Sequence, residues 1–230
     1  FALKGAWYFL VQNTVFGLFE TTLNKGSFAA KMLKFSTAEE AVKLIKSGDR
    51  VFLHTAAATP VKLINAMTAR YQELRDVEII SAHTEGEISY ADEKYEDSFK
   101  INSFFVGHNL RKHVQSGRAH YIPIFLSEIP NLFRSGAMRI NVALVTVSVP
   151  NEKGFCSLGC SVDISHAAID SADIVIAQVN RNMPFVHGNG IIHVNNIQAL
   201  VGEDSPLFEM KQSPITAVSY THLTLPTSTH

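Results

Sequence analysis

From residue 32 to about residue 216 the chain alternates two kinds of pattern: short unbroken apolar runs, and stretches whose apolar positions recur every three or four residues. The first spaced stretch, residues 39–46, predicts an amphipathic helix closed by Ser47-Gly48-Asp49, with Ser36 three residues before Glu39 in the manner of a capping box. Val51-Phe52-Leu53-His54 then predicts a short strand. Residues 61–74, with Val61, Leu63, Ile64, Met67 and Tyr71 near helical period, predict a helix. Val77-Glu78-Ile79-Ile80-Ser81 predicts a second strand, and Phe104-Phe105-Val106 the end of a third. A helix begins at Leu110, and the β-branched run from Ile140 to Val147 is a strand. A helix over 161–172 and a strand from Asp173 to Val179 complete the series.

Strands that are apolar along their whole length, separated by helices, belong to a mainly parallel sheet covered on both faces. The fold class is therefore α/β. No repeat, linker or low-complexity tract divides residues 32–216, which are expected to form one domain. In such sheets ligands lie beyond the carboxyl ends of the strands, where loops enter helices. Three loops meet that condition. The first holds Thr55, Ala56, Ala57, Ala58 and Thr59, small residues that let backbone amides approach a ligand, and Pro60 suits the helix start that follows. The second holds Thr84 and Glu85, which taken alone are more often just a cap and a solvated turn. The third is built on Gly107 and His108.

The ends read differently. Residues 1–31 begin at Phe1 and are rich in phenylalanine without the layout of a signal peptide. They are expected to be translated upstream sequence or a disordered extension, the alternative being an extension that packs on the domain. The stretch Val218 to Ser228 lacks helix or strand period and resembles a translated sequencing-library adapter, so residues 217–230 are expected to be a non-native tail.

Composition narrows the function classes. Lys plus Arg is 20 against Asp plus Glu 21, which gives no electrostatic pull toward nucleic acid or an anionic membrane. Two cysteines, Cys156 and Cys160, are too few for a disulfide scaffold and favour a reducing cytoplasm. Their spacing does not match a structural zinc motif, and they are expected in a turn and the helix after it. His187 and His193 in a glycine-bearing loop, like His83 and His108, read as polar loop residues, not metal ligands. Phosphate loops of the GxxxxGK[ST] and GxGxxG types and a GxSxG elbow are all missing.

Several spaced blocks carry a resemblance. They are Gly48-Asp49-Arg50-Val51-Phe52-Leu53-His54 with Ala56-Ala57-Ala58-Thr59-Pro60, Phe105-Val106-Gly107 with Arg111-Lys112, and Tyr121-Ile122-Pro123 with Leu126-Ser127-Glu128. After them come Val147-Ser148-Val149-Pro150 through Gly154, Ser157-Leu158-Gly159, Ala177-Gln178-Val179-Asn180 and Asn182-Met183-Pro184. In this order they resemble the N-terminal domain of the acetyl-CoA hydrolase/transferase family, which includes acetate, butyrate and 4-hydroxybutyrate CoA-transferases.

The resemblance implies a cytoplasmic, homo-oligomeric enzyme of two similar α/β halves with the active site between them. It implies an acyl-CoA and a short-chain carboxylate as substrates, no bound cofactor or metal, and no nucleic-acid or membrane partner. CoA would pass through a glutamyl-CoA intermediate whose glutamate belongs to the second half, so no residue of this chain, Glu85 included, is expected to be the nucleophile. Thr84 and the Gly107 loop would lie near the acyl group, with the 55–60 loop beside them. Two alternatives stay open: an acetyl-CoA hydrolase, and a non-catalytic domain of the same fold that binds a carboxylate or sugar phosphate.

Overall fold

The computed structural model describes residues 35–209. The readings made for residues 1–31 and 217–230 lie outside the described residues.

Seven strands form one sheet: β1 (Arg50–Leu53), β2 (Val77–Ser81), β3 (Phe99–Ser103), β4 (Ala119–Tyr121), β5 (Ile140–Val147), β7 (Ala172–Val179) and β9 (Ala199–Gly202). Their order is β4-β3-β2-β1-β5-β7-β9, and every neighbouring pair is parallel. The expected parallel α/β sheet is what forms. Alternate residues of each strand serve opposite faces: Val51, Leu53, Ile79, Val142 and Leu144 enter one core, Phe52, Ile80, Ala143, Val145 and Val147 the other. Helices α1 (Ala38–Ala41) and α2 (Val61–Ala69) cover the first face; α4 (Ile129–Arg134) and α5 (Ser165–Ser171) cover the second. Between them in the chain, α3 (Arg111–Gln115) leads into β4. A separate antiparallel pair joins β6 (Phe155–Ser157) to β8 (Ile191–His193).

The chain runs outward from β1 to β4 and then returns to place β5 on the other side of β1. The strand order therefore reverses between β1 and β5, which makes the carboxyl ends of these two strands the switch point of the sheet.

Several expected boundaries shift, each for a local reason. Thr37, not Ser36, caps α1, accepting from the Glu40 N–H at 3.2 Å, while the Ser36 hydroxyl turns to the Leu200 carbonyl at 3.4 Å. The α1 segment tightens after Ala41 into a 3₁₀ turn over Val42–Leu44. The helix expected over 61–74 stops at Ala69, and the next residues close i→i−3 turns, Arg70 N–H to the Met67 carbonyl and Tyr71 N–H to the Thr68 carbonyl. The Arg70 guanidinium meanwhile reaches the Val42 and Ile45 carbonyls, which ties this corner to the 3₁₀ turn that follows α1. Strand β3 ends at Ser103, before Phe104. Cys156 lies on β6, not in a turn, and burial pushes its thiol up to about 12, which makes it an unreactive core residue.

Candidate functional site

The first loop leaves β1 at His54, whose imidazole is fully buried at the switch point. Its Nδ1 accepts from the Thr146 N–H on β5 at 3.1 Å, so Nε2 carries the proton and donates to the Ser161 carbonyl at 2.6 Å. Burial lowers its pKa below 6.5 and keeps the ring neutral. Next to it, Thr55 bonds to the Ser161 hydroxyl at 2.7 Å and donates to Asp163 Oδ2. The other oxygen of Asp163 accepts from the Ser165 N–H and hydroxyl at 3.1 and 3.0 Å, at the start of α5. One carboxylate thus fixes the first loop against the helix on the far face of the sheet. These bonds engage Ser161 and Asp163, which accounts for α5 beginning at Ser165 and not at Ser161.

Ala56 adopts a left-handed backbone, φ 50°, and its N–H bonds to the His83 carbonyl at 2.8 Å. It also pairs with Thr84 in a one-residue parallel bridge. Thr59 completes the junction: its hydroxyl donates to the Ala56 carbonyl at 2.8 Å and accepts from the Glu85 N–H at 3.1 Å. The first and second loops are therefore one surface. Ala57 is partly exposed on it, and Ala58 is buried beneath.

The third loop is joined through Asn109, whose amide donates to the Thr84 carbonyl at 2.7 Å and the Gly86 carbonyl at 3.2 Å. Gly107 lies so close to His83 that a Cβ there would stand 2.8 Å from His83 Cε1. The Nε2 of His83 is 2.6 Å from Glu85 Oε1. Thr84 is buried, and its hydroxyl lies beside the Tyr90 phenol at a void of about 10 Å³ that Ser81, Ser103 and Asn109 also line. Burial pushes the neighbouring Tyr90 phenol up to about 12, so it stays protonated. His108 is exposed at the rim.

The structure thus brings together Thr55, Ala56, Ala57, Ala58, Thr59, Thr84, Glu85 and Gly107 at the carboxyl ends of β1, β2 and β3, with His108 beside them. It gives roles to residues not among the expected site residues: Asn109 as the clamp and Asp163 as the anchor, while His83, expected only as a polar loop residue, is the partner of Glu85. Asn109→Ala is expected to cost about 1–2 kcal/mol in urea denaturation, because two carbonyls lose their donor and the third loop loses its tie to the second.

Among the described residues, no group of three His, Cys, Asp or Glu side chains could hold a metal ion. No helix among them is long and apolar enough to cross a membrane. What the site offers is small side chains, hydroxyls, backbone groups and the His83–Glu85 pair at the carboxyl ends of three strands.

The comparisons agree with this architecture. The acetyl-CoA hydrolase/transferase N-terminal domain matches residues 26–209. A succinyl-CoA:acetate/propanoyl-CoA:succinate CoA transferase of Fasciola hepatica is 40% identical over 185 residues, covering 80% of this chain and 38% of its own length. The 4-hydroxybutyrate coenzyme A transferase of Clostridium kluyveri is 39% identical over 178 residues, covering 77% of this chain and 42% of its own. The crystal structure of RipA from Yersinia pestis superposes with a TM-score of 0.72 at 28% identity, over 80% of this chain and 45% of that one. This chain accordingly spans about two fifths of the length of the curated relatives it matches. With the sheet order, the three joined loops and a match that covers the whole described region, the chain belongs to the acetyl-CoA hydrolase/transferase family through its N-terminal domain.

Proposed function

We propose that this domain is the N-terminal half of a CoA-transferase that moves CoA between an acyl-CoA and a short-chain carboxylate such as acetate. The observation that carries the proposal is the fusion of the three loops into one hydroxyl- and amide-bearing surface beside the switch point, in a domain whose relatives are named CoA-transferases.

In this reading a glutamate of the second half attacks the thioester carbonyl. CoA thiolate leaves, and an acyl-glutamyl anhydride forms. The thiolate then attacks the glutamyl carbonyl, releases the first carboxylate and leaves a glutamyl-CoA thioester. A second carboxylate reverses these steps and departs as the new acyl-CoA. The loops described here form the opposite wall. Their role is to hold the acyl group and the incoming carboxylate in line with the glutamate. Hydroxyl and amide donors suit that task, since a buried cation would bind the carboxylate more tightly but weaken it as a nucleophile. Glu85 is engaged with His83 and Thr59 and serves the wall, not the attack.

The test is turnover of acetyl-CoA by the protein that carries both halves, with and without propionate. Formation of propionyl-CoA, with little free CoA when propionate is left out, is the expected result. Rapid release of free CoA without any acceptor carboxylate would make the protein a hydrolase. Absence of turnover in both arms would leave a binding domain.

A further inference from the structure

On β5 and β7, Thr146 and Gln178 are register partners, and they follow Leu144 and Ile176 on the face that is otherwise apolar core. Both are almost completely buried, and the Thr146 hydroxyl and Gln178 Oε1 have no hydrogen-bond partner. Leaving two such atoms unpaired in a core is costly, and apolar residues of the same shape would avoid that cost. They face a cleft of about 470 Å³ between the first loop and residues 205–209. Those residues cross over the sheet end, held where the Asn180 and Asn182 amides donate to the Ser205 carbonyl at 2.8 and 3.0 Å.

We infer that this cleft receives the pantetheine arm of the CoA substrate, with Thr146 and Gln178 pairing to its amide and hydroxyl groups. The inference rests on the CoA-transferase reading and names where that substrate's neutral chain lies. Three features select it. Among the described residues the cleft's lining holds no Lys or Arg, and Glu209 stands at its edge, so it disfavours a phosphate or a carboxylate. Ala57, Val61, Pro206, Leu207 and Phe208 supply apolar contact, and with two polar points this matches a chain of methylenes interrupted by amides. Ala57 and Thr59 belong both to this cleft and to the joined-loop surface, so a chain lying in the cleft brings its sulfur end to the acyl site.

The test uses the protein carrying both halves, with pantetheine as the probe. Calorimetric titration of Thr146→Val and Gln178→Leu is expected to show pantetheine affinity reduced roughly tenfold by each, the equivalent of one hydrogen bond. Melting temperature is expected to hold or rise, because an unpaired buried polar atom has been removed. A purely structural role predicts the reverse, a lower melting temperature with unchanged affinity, and would overturn the inference. So would wild-type protein that does not bind pantetheine at millimolar concentration. Exchange of CoA onto propionate by the wild type reports on the transferase reading separately: exchange with no pantetheine effect sinks only the cleft, whereas no exchange sinks the reading beneath it.

Discussion

Gly159→Ala is expected to destabilise the domain by about 3–4 kcal/mol, enough to unfold a marginal protein. Two costs add. Gly159 sits at φ +62°, a left-handed backbone that an alanine adopts only at about 1–2 kcal/mol. A Cβ there would also stand 2.7 Å from Met183 Cγ and 3.0 Å from the Pro184 carbonyl. Met183 is buried and Pro184 contributes backbone, so neither can withdraw without moving the turn that follows β7. The control is Gly117→Ala, where φ is +79° but nothing lies within 4 Å of the new Cβ. That substitution should show only the backbone cost of about 1–2 kcal/mol. Urea denaturation of both variants separates strain from crowding. Equal losses would show that the contact with Met183 and Pro184 is not a real constraint. Gly159 and Met183-Pro184 come from two of the sequence blocks that suggested the family, and this contact gives their pairing a physical reason.

The second large effect is at His54. His54→Ala is expected to cost about 3–5 kcal/mol near pH 8, since it opens a cavity and leaves the Thr146 N–H and the Ser161 carbonyl without their partner. The loss should depend on pH in a defined sense. The folded ring is held neutral, its pKa lowered below the 6.5 of the unfolded chain chiefly by burial. The unfolded state therefore binds the proton more readily, and wild-type stability from this group is complete above about pH 6.5 and is lost as the pH falls toward the folded value. A variant without the imidazole lacks that loss. The difference between wild type and His54→Ala should consequently be smaller at pH 5.5 than at pH 8. A difference that grows in acid would mean that the folded ring is protonated and that its tautomer has been assigned wrongly.

The sheet was legible in the chain because its strands are buried on both faces and so read as unbroken apolar runs; β2 and β5 fall where those runs predict. Helix ends were less legible, because tertiary bonds decide them. The spacing in 161–172 continues to Ser161, but Ser161 and Asp163 bond to His54 and Thr55, residues more than a hundred positions away in sequence. At the end of α2, Arg70 likewise makes tertiary bonds, to the Val42 and Ile45 carbonyls beyond α1. The three loops could be found because strand ends preceding small residues point to ligand sites, but their fusion could not, since it depends on Asn109 and Thr59 reaching neighbouring backbone. Thr146 and Gln178 did carry a signal: each follows apolar residues at alternate positions of its strand, Val142 and Leu144 in β5 and Ile174 and Ile176 in β7.

The proposed acyl-side wall of a two-half transferase requires a nucleophile outside this domain. Intact-protein and peptide mass spectrometry after incubating the two-half protein with acetyl-CoA, without acceptor carboxylate, tests it directly. A covalent CoA adduct on one glutamate outside residues 35–209 is expected. An adduct on Glu85 or any other residue within that span, or no adduct in a protein that still exchanges CoA, would contradict it.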